Sequence, residues 1–137
     1  MFRKIVIGGT FNGLHEGHKR LIETGFENAE SAVIGLTSDE FANRFRAEEV
    51  RPFESRMREL EEYVGGLGKP YSIVEINDSY GVATIDPEVD SIVVSEETLL
   101  RAEEINTIRF KKKLHRLVMI VVPLVLDEKG IPVSSSR

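Results

Sequence analysis

His15 and His18 stand three residues apart, with Gly17 between them, in the segment Gly8-Gly9-Thr10-Phe11-Asn12-Gly13-Leu14-His15-Glu16-Gly17-His18. Imidazole can relay a proton, ligate a metal or donate hydrogen bonds to a phosphate. A zinc site is the poorer fit: the His-Glu-x-x-His spacing is missing and no third ligand is evident. If the segment is helical, the two rings share one face, and Gly17 removes bulk where a phosphate must fit. Gly8 and Gly9 allow close backbone approach and positive φ, and Thr10 adds a hydroxyl and a backbone donor. A helix beginning near Gly17 would aim free N–H groups and a partial positive charge at an anion. Each part is weak alone, since glycine pairs and paired surface histidines are common. The joint order of strand, Gly-Gly-Thr-Phe, His-x-Gly-His and helix points to phosphate-bearing nucleotides.

The elements that must position these groups follow from hydrophobic patterning. Ile5-Val6-Ile7 reads as a buried strand. A helix is expected over 19–28, with Leu21, Ile22 and Phe26 on one face and Gly25 as a mild weakness. Further strands are expected over 32–37, 71–76, 91–94 and 117–122. A helix over 53–64 starts at Pro52 and stops at Gly65-Gly66, with Met57, Leu60 and Val64 as its core stripe. Another runs from Glu96 to about Lys113, capped by Ser95, with Leu99, Leu100 and Ile108 as its stripe. The charged segment 43–51 reads as a flexible loop. Alternating strands and helices imply an α/β fold with parallel pairing and right-handed crossovers. Continuous apolar strands suit an open five-stranded sheet with helices on both faces. Such sheets bind ligands beyond the carboxyl ends of their strands, where segments 8–18 and 95–98 fall.

The 137 residues fit one domain, and 41% hydrophobic with 30% charged residues is a globular composition. There is no cysteine, which excludes disulfides and thiolate metal sites and is compatible with a cytoplasmic setting. No apolar run nears the ~20 residues of a membrane span, so no membrane partner is expected. Met1-Phe2-Arg3-Lys4-Ile5 is too short of apolar length for a signal peptide. A net charge of −5 argues against a general nucleic-acid binder. An anionic small molecule then needs a local positive pocket.

The Gly8 to His18 segment resembles the His-x-Gly-His nucleotidylyltransferase superfamily, whose fold is Rossmann-like. Within it the chain is similar to the archaeal-type phosphopantetheine adenylyltransferases. A second string, Val93-Val94-Ser95-Glu96-Glu97-Thr98, resembles their Val-Val-Ser-x-Glu-Thr signature; a serine cap with acids in the first turn also accounts for part of it. Ser134-Ser135-Ser136-Arg137, led by Val133, resembles the family's C-terminal Ile-Ser-Ser-Thr/Ser-x-x-Arg motif. The family pattern continues into a further helix and arginine beyond the position of Arg137.

The resemblance implies transfer of AMP from ATP to 4′-phosphopantetheine, giving dephospho-coenzyme A and pyrophosphate. His18 would donate to the α-phosphate, His15 would support the nucleotide phosphates, and Thr10 would hold the acceptor phosphate in line. Gly8, Gly9, Phe11 and Gly17 would line the ATP site. Ser95, Glu96, Glu97 and Thr98 would lie near adenine and ribose, and Ser134, Ser135 and Ser136 near the β- and γ-phosphates. Arg44 is the first choice for the acceptor phosphate; Arg46 and Arg51 are alternatives, and a solvated loop explains any one of them equally well. Arg56 and Asn106 match family positions, with an acid partner such as Glu59 and a polar helix face as their respective rival accounts. A magnesium ion bound mainly through ATP phosphates is implied, with no protein metal site. Rival readings are a sibling enzyme using glycerol phosphate, flavin mononucleotide or nicotinamide mononucleotide, and a non-catalytic nucleotide-sensing domain. The residues leave oligomeric state and feedback by coenzyme A open.

Overall fold

The computed structural model describes residues 1–44, 49–78, 80–123 and 126–131. Its strands are β1 (Phe2–Gly9), β2 (Ala29–Thr37), β3 (Tyr71–Ile76), β4 (Ser91–Ser95) and β5 (Val118–Val122). They form one parallel sheet in the order β3-β2-β1-β4-β5. The helices are α1 (Glu16–Asn28), α2 (Asp39–Arg44), α3 (Phe53–Val64) and α4 (Leu99–Lys111). The expected α/β architecture is borne out.

Successive side chains of a strand point to opposite faces, and the core divides accordingly. Ile5, Ile7, Ile34 and Leu36 pack with Ile22 and Phe26 of α1 and Leu60 and Val64 of α3. Val6, Val33, Ile92 and Val94 pack with Ala102 and Ile105 of α4 and with Ala83 of a short 3-10 turn, Gly81–Thr84. Gly25 of α1 has a positive role. A Cβ there would lie 2.9 Å from Ile7 Cδ1 and 3.2 Å from Val93 Cγ1, so glycine lets α1 sit close on the sheet.

Three expectations are corrected. The loop expected over 43–51 begins later, because Asn43 and Arg44 belong to α2. The helix expected from Glu96 opens as a 3-10 turn, Glu96–Thr98, and becomes α-helical at Leu99. Leu100 is no core residue: it is 73% exposed. The inner face of α4 is instead Ala102, Ile105, Asn106 and Arg109, two of them polar. Asn106 donates to the Leu117 carbonyl and accepts from the Leu117 N–H, joining α4 to the start of β5. Arg109 donates to the carbonyls of Ala83, Asp86 and His115. Buried polar side chains are tolerated where every donor is satisfied, and periodicity of apolar residues misses them.

The sheet opens between β1 and β4, where the strand order reverses. β1 pairs with β4 only at Ile5 opposite Ser91 and Val6 opposite Ile92. Beyond those pairs the strands part, and the crevice of a topological switch point forms at their carboxyl ends.

Candidate active site

A cavity of about 580 Å³ fills this crevice. Gly8, Gly9, Thr10 and Phe11 form one wall, and Val93, Val94, Ser95 and Thr98 another, with His15, Gly17 and His18 above them. Its size and its mix of apolar wall with a few polar groups suit a nucleotide-sized ligand.

His15 is the N-cap of α1. Its Nδ1 accepts from the N–H of Gly17 at 3.0 Å and of His18 at 3.3 Å. An imidazole nitrogen that accepts carries no proton, so the cap places the proton of neutral His15 on Nε2. Burial lowers the His15 pKa, with Glu16 opposing, which also favours the neutral ring. The free N–H groups expected at the start of α1 are thus partly used: Gly17 and His18 give theirs to His15. The rest of that contribution is the helix dipole.

His18 has the opposite arrangement. Its Nδ1 lies 2.9 Å from the Gly13 carbonyl, which can only accept, so Nδ1 holds a proton. For Nε2 to donate as well, the ring must be the imidazolium. The two rings stack with centroids 3.7 Å apart and 16° between planes. Phe11 closes on His18 edge-on at 5.1 Å. Phe11 is 1% exposed and adopts φ +47°, a costly backbone state for a non-glycine residue. Gly9 makes that fold possible, since a Cβ there would meet the Phe11 ring at 2.9 Å.

Across the crevice Ser95 and Thr98 form a reciprocal cap: the Ser95 N–H donates to Thr98 Oγ1 at 3.1 Å, and their hydroxyls lie 3.3 Å apart. This cap turns β4 directly into the next helix and leaves both residues on the cavity wall.

The cytidylyltransferase-like family matches residues 6–137. A phosphopantetheine adenylyltransferase of Methanopyrus kandleri is 44% identical over 99% of this chain and 88% of its own. Another, of Methanothermobacter thermautotrophicus, is 40% identical over 97% of this chain and 80% of its own. The chain belongs to the phosphopantetheine adenylyltransferases of the cytidylyltransferase-like family. A crystal structure of an Archaeoglobus fulgidus protein of unknown function shares the fold at a TM-score of 0.79 and 31% identity, covering 98% of this chain and 96% of that one.

The family residues expected from sequence fall into three groups. Gly8, Gly9, Thr10, Phe11, His15, Gly17, His18, Ser95, Glu97 and Thr98 all line the cavity, whereas exposed Glu96 does not. Arg44 is exposed, off the cavity wall, and paired with Glu40 at 3.3 Å. Arg51 pairs with Glu59 at 2.7 Å, the acid expected for Arg56. Asn106 is committed to Leu117 rather than to the cavity. Arg46 and the Val133 to Arg137 motif, with Ser134, Ser135 and Ser136, lie outside the described residues.

Arg101 escaped the sequence reading, and so did the contact that joins Arg56 to Thr37 and Thr10. Arg101, exposed on α4, lines the cavity and enters no hydrogen bond or ion pair among the described residues. Its signal was its position four residues after Glu97, which also lines the cavity. Thr37 also lines the cavity, and Arg56, fully buried, reaches both Thr37 and Thr10. No local pattern marks that contact, because 46 residues separate Arg56 from Thr10.

Proposed function

We propose that the chain transfers the adenylyl group of ATP to 4′-phosphopantetheine. An acceptor phosphate oxygen forms a bond to the α-phosphorus, the bond from the α-phosphorus to the bridging oxygen breaks, and pyrophosphate leaves with its electron pair. A phosphate monoester has a second pKa of about 6 and is already largely a dianion at neutral pH, so no general base is needed. The work left for the protein is alignment and stabilisation of charge on the transferring group.

The histidine pair carries this reading: two stacked imidazoles, locked by Gly13 and by the α1 cap, line the crevice beside Thr10. His18 as the imidazolium donates from Nε2 to an α-phosphate oxygen, most strongly as charge builds there. His15 donates from Nε2 to the nucleotide phosphates. Thr10 donates to the acceptor phosphate, and Ser95 to Thr98 flank the adenosine. Arg44, with Arg46 and Arg51 as alternatives, would meet the acceptor phosphate from the 39–51 segment. Ser134 to Ser136 would close on the β- and γ-phosphates.

Among the described residues no three His, Asp or Glu side chains gather as a metal cage. The carboxylates of the cavity wall, Asp78 and Glu97, are single groups. That donor set fits a magnesium ion held by ATP phosphates and water. Such an ion would supply charge neutralisation on the triphosphate. The same set of substrates makes dephospho-coenzyme A the expected product, and coenzyme A biosynthesis the setting.

Pyrophosphate release with ATP and a panel of acceptors tests the proposal. Turnover with 4′-phosphopantetheine, well above that with glycerol phosphate, flavin mononucleotide or nicotinamide mononucleotide, is expected. A better rate with any of those three, or ATP binding without turnover on any acceptor, would overturn it.

A further inference from the structure

Arg56 has no exposed surface, yet it sits one contact from the crevice. Its Nε donates to the Arg51 carbonyl at 2.7 Å and its Nη2 to Asp39 at 2.9 Å. Its Nη1 donates to the Thr10 carbonyl at 2.9 Å and to Thr37 Oγ1 at 3.3 Å. Thr37 Oγ1 then donates to Thr10 Oγ1 at 3.0 Å. The direction of this last bond has a consequence. Thr37 spends its single hydroxyl proton on Thr10, so Thr10 Oγ1 is an acceptor inside the protein. Its own proton goes to no group among the described residues, although Thr10 lines the cavity. A chain that starts at a guanidinium and passes through two hydroxyls polarises each O–H in turn. The last proton is therefore a preoriented donor with cationic character, suited to an anionic oxygen.

We infer that Thr37 and Arg56 are positioning residues that hold the Thr10 hydroxyl as a donor to the phosphate monoester of the acceptor. The inference rests on the proposed assignment of Thr10 to the acceptor. Burying an arginine is costly unless its charge and donors are satisfied. Here every nitrogen of Arg56 has an acceptor, and two of those acceptors are Thr10 and Thr37. A purely structural tether would need the backbone contacts but not the hydroxyl relay.

Removing Arg56 would leave several partners unsatisfied and endanger folding, so the test is made at Thr37. Thr37→Val keeps the branched shape and deletes the relay; Thr37→Ser keeps the hydroxyl and deletes the methyl group. Steady-state kinetics with ATP and 4′-phosphopantetheine are combined with calorimetric binding of 4′-phosphopantetheine and pantetheine. Thr37→Val should raise KM for 4′-phosphopantetheine roughly tenfold, the worth of one hydrogen bond to a charged group. It should leave KM for ATP in the wild-type range and shrink the preference for phosphorylated over unphosphorylated pantetheine. Thr37→Ser should retain both. Wild-type behaviour of Thr37→Val, equal damage in the two variants, or a change confined to KM for ATP would overturn the inference. A wild-type protein that makes no dephospho-coenzyme A would instead overturn the parent assignment.

Discussion

At the scale of single residues, the two histidines are distinguished by what holds their Nδ1 atoms. Nδ1 of His15 accepts from backbone N–H groups, whereas Nδ1 of His18 donates to a carbonyl. His18→Ala should therefore lower turnover by roughly a hundredfold to a thousandfold, the usual cost of one donor to a developing charge. Circular dichroism should show the fold intact; near-normal turnover would refute the role. His15 couples the site to pH. Its pKa is lowered in the folded protein, so its capping contribution is complete above its ordinary value of 6.5 and is lost as pH falls through the lowered pKa. His15→Asn, which can cap through its side-chain oxygen, should preserve thermal stability while losing the Nε2 donor. His15→Ala should lose both, by about 1 kcal/mol in stability. If the acid-side loss of stability persists unchanged in His15→Asn, another group is responsible.

At the scale of elements, α1 is placed by Gly25 rather than weakened by it. Alanine there would gain about 1 kcal/mol of helix propensity. Against this stand contacts of 2.9 and 3.2 Å with Ile7 and Val93, and overpacking a tight core costs about 1–3 kcal/mol. Gly25→Ala should be net destabilising in urea unfolding and should lower turnover, because moving α1 moves both histidines. A more stable variant would mean that the sheet yields easily at this point. The element scale is also where sequence patterning failed. The apolar stripe of α4 put Leu100 inside, yet the helix turns Asn106 and Arg109 inward to satisfy backbone groups of Leu117, Ala83 and Asp86. The partners of those side chains come from other segments, so no window along the chain could reveal them.

At the scale of the whole molecule, the sheet is two parts joined at a narrow seam. β3, β2 and β1 form one part and β4 and β5 the other, with only Ile5 and Val6 of β1 laddered to β4. A ligand in the crevice contacts both parts. ATP at about a hundredfold excess over its Kd should add about 2.7 kcal/mol of stability and raise the melting temperature by several degrees. A melt unmoved by saturating ATP would argue against nucleotide binding in this cavity. No helix among the described residues is long and apolar enough to cross a membrane.

The sequence by itself determined the α/β order of elements, the strand-end location of segments 8–18 and 95–98, and the family. Those features are local: apolar runs, glycine turns and caps are written in neighbouring residues. The tertiary structure decided the proton positions on His15 and His18, because they depend on which backbone groups the folded loop presents to each ring. It also decided that Arg51 pairs with Glu59 while Arg56 turns inward to Thr37 and Thr10. Charge and spacing along the chain allow either pairing. Only the packing of α3 against the ends of β1 and β2 selects the arginine that reaches the site.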